Sequence, residues 1–308
     1  MARNESSHQK AGETPGHLSG PDPTAGIALN PGLYVVATPI GNLNDITARA
    51  LTVLRGVDVI ACEDTRVTGT LLHRFGIATA MTPYHDHNAD QARPKLLAQL
   101  AAGGRIALVS DAGTPLISDP GYKLVRACAD VNIPVVPIPG PSALLAGLVI
   151  AGLPTDRVMF AGFLPQKSGA RRAELLELKD LKATLVFYES AQRLPEALSD
   201  LHAVLGPRPA AVCREMTKLY EEARRGTLAE LATAYAAEGP PKGEIVIVVG
   251  GAPALSTSSE DLDTALRKAL ATMTVRDAAD VVAEAFQEPR RRIYQRALEL
   301  GKDDSPEK

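Results

Sequence analysis

From Gly32 onward, short apolar and β-branched runs alternate with segments of helical periodicity, and this alternation constrains the fold most strongly. The first block contains five predicted strands, at Leu33–Thr38, Val57–Glu63, Met81–His85, Arg105–Ser110 and Pro134–Pro137. Its predicted helices are Asp45–Leu54, Val67–Phe75, Gln91–Ala101, Tyr122–Ala129 and Ser142–Ala151. Strands separated by helices of this length form crossover units, so we expect a mostly parallel sheet covered on both faces.

A second block of alternating elements begins at Val158. Its predicted strands are Val158–Leu164, Thr184–Glu189, Pro209–Glu215, Glu222–Thr227 and Glu244–Gly250, and its predicted helices are Ala170–Leu178, Arg193–Val204 and Leu228–Ala237. Two of the strands are joined only by a short link around Lys218–Glu221, which is typical of a hairpin and favours a mixed sheet. We therefore predict an α/β fold with two α/β domains, over residues 31–153 and 154–252.

The two ends of the chain differ from these blocks. Residues 1–30 are rich in Gly, Pro, Ser, Glu and His and lack apolar periodicity, which predicts a disordered leader. A Pro- and Ser-rich linker follows Gly250, and helices are predicted at Leu262–Ala271, Val275–Phe286 and Arg290–Leu300. We expect residues 260–302 to form a small helical appendage. The arginines at the start of its last helix are equally consistent with nucleic-acid contact and with a solvated charge cluster.

Composition narrows the class of protein. No apolar run approaches the roughly 20 residues of a membrane helix, and the N-terminus lacks the pattern of a secretion signal. The cysteines (Cys62, Cys128 and Cys213) are far apart, so we interpret them as reduced core residues of a cytoplasmic protein. The net charge of −3 means that any nucleic-acid footprint must be local.

Three Gly- and Pro-rich loops follow predicted strands of the first block, at 38–43, 110–121 and 139–143. In open α/β sheets, ligands bind outside the carboxyl ends of the strands. Gly allows a ligand to approach the backbone closely, and Pro stiffens a loop. We expect the three loops to converge on a pocket for a sizeable cofactor, although tight turns alone would also use these residues.

The loops fit neither the GxGxxG spacing of a dinucleotide fold nor a P-loop. They resemble instead the tetrapyrrole methylase superfamily, two-domain methyltransferases that hold S-adenosylmethionine in the cleft between their sheets. Within it, the chain resembles the branch that methylates 16S rRNA at a cytidine ribose. The stretches that carry this resemblance are 36–46, 62–66, 109–121, 186–190, 214–218 and 242–244.

The resemblance implies a set of S-adenosylmethionine ligands: Pro39, Ile40, Asp111, Gly113, Thr114, Ile117, Ser142, Ala143, Tyr188 and Ala223. Ser142 and Ala143 start a predicted helix, where free backbone amides favour a carboxylate. Thr114 stands where many corrin methylases carry Asp, so the resemblance does not specify which contacts the Thr114 hydroxyl makes with the cofactor. The resemblance also implies a homodimer.

Methylation of a ribose hydroxyl requires alignment and a proton acceptor. Glu63, Asp64 and Glu189 lie near strand ends and are the candidate catalytic residues. For Glu63 and Asp64 the alternative is ion pairing with Arg66 in the same loop. His85 and His87 lack a third ligand at suitable spacing, so we expect no metal and interpret them as part of a polar loop lining the cleft.

RNA phosphates require cations, and several stand at or near the predicted cleft or on the appendage. The candidate RNA-binding residues are Arg66, Lys167, Arg193, Arg214, Lys218, Arg290, Arg291 and Arg292, with Arg171 and Arg172 on a predicted loop beside the cleft. Phosphate contacts would position the RNA, and a splayed-out cytidine would be read at its base edges. We expect Glu215 and Glu222 to orient these cations.

Two other functions remain open. A methyltransferase acting on a tetrapyrrole or corrin precursor would share the cofactor, but its small anionic substrate would not need a basic appendage. A non-catalytic RNA- or nucleotide-binding module on the ribosome would leave the three cofactor loops without a purpose.

Overall fold

The computed structural model describes residues 28–253, 259–286 and 288–303. Most of the predicted leader lies outside these ranges. None of the helices in the described ranges is both long and apolar enough to cross a membrane.

The first sheet has five strands: β1 (Gly32–Val36), β2 (Val59–Cys62), β3 (Met81–Pro83), β4 (Arg105–Val109) and β5 (Val135–Ile138). Their order is β3-β2-β4-β1-β5, and every pairing is parallel. This confirms the predicted parallel sheet. It also brings the loops after β1, β4 and β5 to one edge, because parallel strands end on the same side.

The helices of this block are α1 (Ala48–Gly56), α2 (Thr65–Arg74), α3 (Ala89–Ala101), α4 (Tyr122–Asp130) and α5 (Ala143–Ala151), and the first four cover this sheet on its two faces. One core cluster packs Leu54 and Leu72 of α1 and α2 against the sheet, and the other packs Leu96 and Leu124 of α3 and α4 against it. The predicted start of α1 at Asp45 was wrong. Residues Leu43–Asp45 form a separate 3₁₀ turn, and the Thr47 hydroxyl caps α1 by accepting from the Ala50 amide at 3.1 Å.

The second sheet is mixed, as predicted. Its strands are β6 (Val158–Phe163), β7 (Thr184–Ser190), β8 (Pro209–Arg214), β9 (Glu222–Thr227) and β10 (Glu244–Val249), in the order β6-β7-β10-β8-β9. Only β6 and β7 pair in parallel, and β8 and β9 form the expected hairpin. Helices α6 (Ser168–Leu178), α7 (Leu194–Leu205) and α8 (Leu228–Glu238) belong to this block.

Helix α5, the last of the first block, packs on the second sheet. Leu148 and Ala151 lie in one core cluster with Val186 and Val246 of β7 and β10. The contact is so close that a Cβ on Gly147 would stand 2.8 Å from a methyl carbon of Val246. Both sheets belong to one compact unit. The division into two α/β domains at residues 153/154 stays a prediction.

Residues Glu177–Ala183 and the described residues from Gly251 onward form a second compact unit. It contains α9 (Ser259–Leu270), α10 (Val275–Phe286) and α11 (Arg290–Asp303), which confirms the three predicted helices. Its own core includes Leu262 and Leu266 of α9, Val282 of α10, and Ile293 and Leu300 of α11. The three cysteines, all outside this unit, are buried and unpaired.

Candidate active site

Hydrogen bonds join the three Gly- and Pro-rich loops at the edge of the first sheet. The Thr38 amide donates to the Gly113 carbonyl at 2.9 Å, and the Gly113 amide donates back to the Thr38 carbonyl at 3.0 Å. The Thr114 hydroxyl donates to the Pro141 carbonyl at 3.1 Å. The predicted convergence of the loops is therefore confirmed.

The loops form one wall of a cleft of about 430 Å³, and strands β7 and β10 of the second sheet contribute the other. This volume lies within the range of roughly 300–1,000 Å³ that is usual for sites of small molecules and cofactors. The predicted cofactor ligands that line the cleft are Ile40, Asp111, Gly113, Thr114, Ile117, Ala143 and Tyr188.

Three predicted cofactor ligands do not line this cleft. Pro39 is buried within the first loop, and Ala223 packs against the core cluster of α5 and the second sheet. Ser142 borders a separate hollow beside α5, together with Leu145 and Met216. A direct cofactor contact of these side chains in this cleft is therefore not supported by their positions.

Tyr188 connects the two walls of the cleft. Its hydroxyl accepts a hydrogen bond from the Leu144 amide in the first turn of α5, at 3.1 Å. Phe160 and Phe163 of β6 meet its ring edge-on, with centroids 4.8 and 5.5 Å away. Burial raises the pKa of the Tyr188 phenol, although the Leu144 amide opposes the shift, so the hydroxyl is neutral at physiological pH.

Four carboxylates line the cleft: Asp111, Asp119, Glu189 and Glu244. Asp111 accepts from the Asp64 amide at 3.1 Å, and Glu244 accepts from Lys218 Nζ at 2.6 Å. Glu189 is buried and accepts from Arg193 at 3.0 Å and from the Ser190 amide at 2.7 Å. This acidic lining is suited to a ligand that carries positive charge.

The predicted catalytic residues occupy different environments. Glu63 and Asp64 are not among the residues that line the cleft, whereas Glu189 lines it while paired with Arg193. Burial, followed by the negative charges of Asp111 and other nearby carboxylates, raises the pKa of Glu63. Hydrogen bonds from Arg66 lower the pKa of Asp64 to about 2. Asp64 also caps α2, so the alternative of ion pairing with Arg66 is the arrangement observed.

Most of the predicted RNA-binding cations near the cleft are engaged by carboxylates of the chain itself. Arg193 pairs with Glu189, Arg214 with Glu222 at 2.9 Å, and Lys218 with both Glu215 and Glu244. The expected orienting roles of Glu215 and Glu222 thus match observed ion pairs. Arg66 is paired but largely exposed, and Lys167 is exposed.

The expectation for Arg171 was wrong. Its side chain is only 1% exposed and lies inside helix α6 rather than on a loop, paired with Asp200 of α7 at 2.7 Å. Arg172 is exposed but pairs with the same carboxylate at 2.5 Å. Arg171 therefore has a structural role, since a buried cation needs a buried partner.

In the second compact unit, the arginines at the start of α11 differ in their partners. Arg290 pairs with Asp280 of α10, and Arg292 pairs with Glu288 at 2.8 Å. Arg291 is exposed, and no carboxylate in the described ranges forms a salt bridge with it. Arg291 therefore carries the uncompensated charge of this cluster.

Sequence reasoning missed several residues of the cleft, which are Ser118, Asp119, Phe163, Ser190, Ala191, Met216 and the segment 243–246. Asp119 and Glu244 stand in stretches that carry the family resemblance, so their loops were identified but their side chains were not. His85 and His87, predicted to line the cleft, are not among its lining residues. Within the described residues, no three His, Cys, Asp or Glu side chains are arranged to hold a metal ion.

Comparisons with known proteins cover both compact units. Residues 32–232 match the family described as Tetrapyrrole (Corrin/Porphyrin) Methylases. Residues 256–301 match the family described as RsmI C-terminal HTH domain.

The chain is similar to curated proteins over most of its length. A Ribosomal RNA small subunit methyltransferase I from Mesorhizobium japonicum is 53% identical over 280 residues, covering 91% of this chain and 95% of that protein. A protein of the same name from Escherichia coli O157:H7 is 48% identical, covering 87% of this chain and 94% of that protein.

Solved structures share the fold. The uroporphyrin-III C-methyl transferase of Thermus thermophilus, complexed with S-adenyl homocysteine, aligns with a TM-score of 0.51 over 71% of this chain and 97% of that chain. Its sequence is 19% identical, so this likeness shows the fold alone.

Proposed function

Because the chain belongs to the family of tetrapyrrole (corrin/porphyrin) methylases, we propose that it methylates small-subunit ribosomal RNA, at the 2′-hydroxyl of a cytidine ribose. As a member of this family it is an S-adenosylmethionine-dependent methyltransferase. The RNA substrate follows the names of relatives that are 53% and 48% identical to it. The ribose atom and the base rest on the resemblance of its loops.

The observation that carries this proposal is the acidic cleft between the two sheets. S-adenosylmethionine carries a sulfonium and an ammonium group, and the carboxylate of Asp111 gives the lining a complementary charge. Ile40, Ile117 and Phe163 offer apolar surface for its adenine. The residues present therefore fit this cofactor.

When bound, S-adenosylmethionine supplies an electrophilic methyl group and leaves as a neutral thioether. The chain's contribution is to hold the reacting groups in line and to accept a proton. The backbone of Gly113 and Thr114, braced against the first and third loops, orients the cofactor within the cleft. Phe163 and Tyr188 exclude water from one side.

We assign the RNA contacts to the exposed cations, Arg66 and Lys167 near the cleft and Arg291 on the appendage. These side chains would bind phosphates and set the register of the RNA, while the cleft receives the splayed-out nucleotide. Arg193, Arg214 and Lys218 could reach RNA only by releasing the carboxylates that they hold.

A homodimer is also part of the proposal, and the surface of α5 supports it. The helix is apolar throughout, yet Leu145 and Val149 are 57% and 77% exposed. They border a hollow with Met216, and the hairpin that follows exposes Leu219 and Tyr220. A second copy of the chain is the proposed cover for this apolar surface. A monomeric mass in solution would contradict it.

The experiment is methyl transfer from labelled S-adenosylmethionine to purified 30S subunits that lack ribose methylation, with the modified nucleoside identified by mass spectrometry. Label on 2′-O-methylcytidine is the expected result. Label on another nucleoside would contradict the finer assignment. Cofactor binding without any methyl transfer to 30S subunits would indicate a small tetrapyrrole as the substrate instead.

The proposed location of the protein is the cytoplasm, where 30S subunits are found.

A further inference from the structure

Asp119 lies where the loop after β4 enters the cleft. Its carboxylate lines the cleft and is half-buried. The backbone before it is unusual, because Leu116 and Ser118 both adopt left-handed conformations, with φ of 74° and 62°. Such conformations in non-glycine residues persist only where the surroundings enforce them. The loop therefore holds Asp119 at this position in the cleft.

The partners of the four cleft carboxylates distinguish Asp119 from the others. Glu189 and Glu244 are each neutralised by a cation, and Asp111 accepts a backbone amide. Within the described part of the chain, Asp119 has no cationic partner. Asp119 is thus the cleft carboxylate with the most remaining capacity to accept a proton.

The surroundings also favour protonation of Asp119. Burial raises the pKa of its carboxyl, the Ser110 hydroxyl lowers it, and the negative charge of Asp111 raises it again, with a net upward shift. A carboxylate with a raised pKa is a stronger base, and bases whose pKa lies nearer to the working pH are more effective proton acceptors. Glu63 shares this electrostatic environment but stands outside the cleft lining.

We propose that Asp119 is the catalytic group that takes the proton from the RNA hydroxyl during methylation. This inference rests on the proposed function, since it requires a hydroxyl as the methyl acceptor. The hydroxyl oxygen forms its bond to the methyl carbon as the carbon–sulfur bond breaks, and that electron pair stays on sulfur. The hydroxyl proton moves to an Oδ atom of Asp119, which releases it to water after the product leaves.

The test is the Asp119→Asn variant, which keeps the shape of the side chain but removes its capacity to accept the proton. The expected result is a fall in kcat for methyl transfer to 30S subunits by about 10²-fold or more, within the range usual for general-base catalysis. Affinity for S-adenosylmethionine, measured by calorimetry, and affinity for 30S subunits should both stay within about threefold of wild type. In the wild type, log kcat should rise with pH at a slope of one on the acidic side, and the variant should lose this dependence.

Asp130→Asn is the matched control, because Asp130 is an exposed aspartate at the end of α4 that forms a surface ion pair with Arg126 and does not line the cleft. It should behave as wild type. Unchanged kcat in Asp119→Asn would overturn the proposal, and so would a large loss of S-adenosylmethionine affinity, which would make Asp119 a cofactor ligand. If the wild type itself transfers no methyl group to 30S subunits, the proposed substrate fails, and that result is distinct from an active wild type with an equally active variant.

Discussion

The Leu144 amide and the Tyr188 hydroxyl lie 3.1 Å apart, so a single hydrogen bond joins the first turn of α5 to strand β7 of the second sheet. The first amides of a helix have no partner within the helix. Here one of them is satisfied from the opposite wall of the cleft. The distance between the cofactor loops and the second sheet is therefore fixed in part by this contact.

Replacement of Tyr188 by Phe should weaken cofactor binding. The ring and its contacts with Phe160 and Phe163 would remain, but the Leu144 amide would lose its acceptor. A lost hydrogen bond of this kind costs about 1 kcal/mol, which corresponds to a roughly fivefold higher Kd. Calorimetric titration with S-adenosylhomocysteine measures this change.

Tyr34→Phe provides the control, because the Tyr34 hydroxyl also makes one hydrogen bond, to the Asn30 carbonyl at 2.7 Å, on an element that does not line the cleft. Its Kd for the same ligand should not change. Equal Kd values in the wild type and Tyr188→Phe would show that the contact does not shape the cofactor site.

Gly41 and Lys218 form a second close contact. A Cβ on Gly41 would lie 2.5 Å from Lys218 Cγ, and Gly41 has a φ of 153°. Lys218 cannot easily move away, because Glu215 and Glu244 hold its Nζ at 2.8 and 2.6 Å. Gly41→Ala should therefore lower the free energy of unfolding by about 1–3 kcal/mol, as overpacking usually does.

A double-mutant cycle separates the collision from backbone strain. If the collision causes the loss of unfolding free energy in Gly41→Ala, adding Lys218→Ala should recover part of it. If backbone strain alone causes the loss, adding Lys218→Ala should recover none of it. Gly76→Ala is the matched control, since Gly76 also has a positive φ, 62°, but has no atom within 4 Å of its added Cβ. It should show only the cost of strain, roughly 1–2 kcal/mol. Urea unfolding followed by circular dichroism provides the free energies, and additive effects in the cycle would contradict the predicted collision.

The order of elements could be predicted from the sequence because each depends on local periodicity. Strand Glu222–Thr227 and helix Val275–Phe286 were predicted with their observed bounds. The start of α1 was not, since a 3₁₀ turn and a threonine cap compete with the helical pattern there. Convergence of the three loops followed from the parallel order of the strands, which local patterns also indicate.

Properties that depend on distant partners could not be predicted. From the sequence, Arg171 is predicted to be a surface cation. In the structure it is buried and pairs with Asp200, which lies 29 residues later in another helix. Asp119 stands in a loop that the sequence identified. Its position is set by the left-handed backbone of Leu116 and Ser118, and their residue types do not predict that conformation. Side-chain pairing decides the role of a charged residue, and pairing is set by tertiary structure.

Removal of the Asp200 carboxylate should destabilise the second block strongly. Asp200 accepts from Arg171 at 2.7 Å, from Arg172 at 2.5 Å and from Ser168 at 3.1 Å. Asp200→Ala would leave the Arg171 cation buried without this partner, which typically costs about 3–5 kcal/mol. Asp130→Ala is the control, since its surface pair with Arg126 is worth roughly 0–1 kcal/mol. Urea unfolding at neutral pH gives both values, and similar losses in the two variants would contradict the prediction.

The contribution of the Asp200 carboxylate to the free energy of unfolding should depend on pH. Burial raises the pKa of Asp200, but hydrogen bonds from Arg172, Arg171 and Ser168 outweigh it, so the net pKa lies below the ordinary 3.8. A carboxyl with a lowered pKa in the folded state stabilises the fold above its unfolded pKa, and this contribution is lost as pH falls through the folded pKa. The difference between wild type and Asp200→Ala should therefore be constant above about pH 5 and shrink below 3.8. A difference that grows on acidification would have the wrong sign.

Arg291 should contribute more to RNA binding than its neighbours in the cluster at the start of α11. In helix-turn-helix domains the start of the second helix of the motif faces nucleic acid. Because residues 256–301 match such a family, we propose that α11 is this helix. Because Asp280 and Glu288 already neutralise Arg290 and Arg292, Arg291 offers the free charge for a phosphate.

Arg291→Ala should weaken binding to 30S subunits and reduce the slope of log K against log salt by about one. Arg290→Ala, the control with the same loss of formal charge, should change that slope little, and binding measured over a range of salt concentrations compares the two. Equal slopes for wild type and Arg291→Ala would remove Arg291 from the RNA interface.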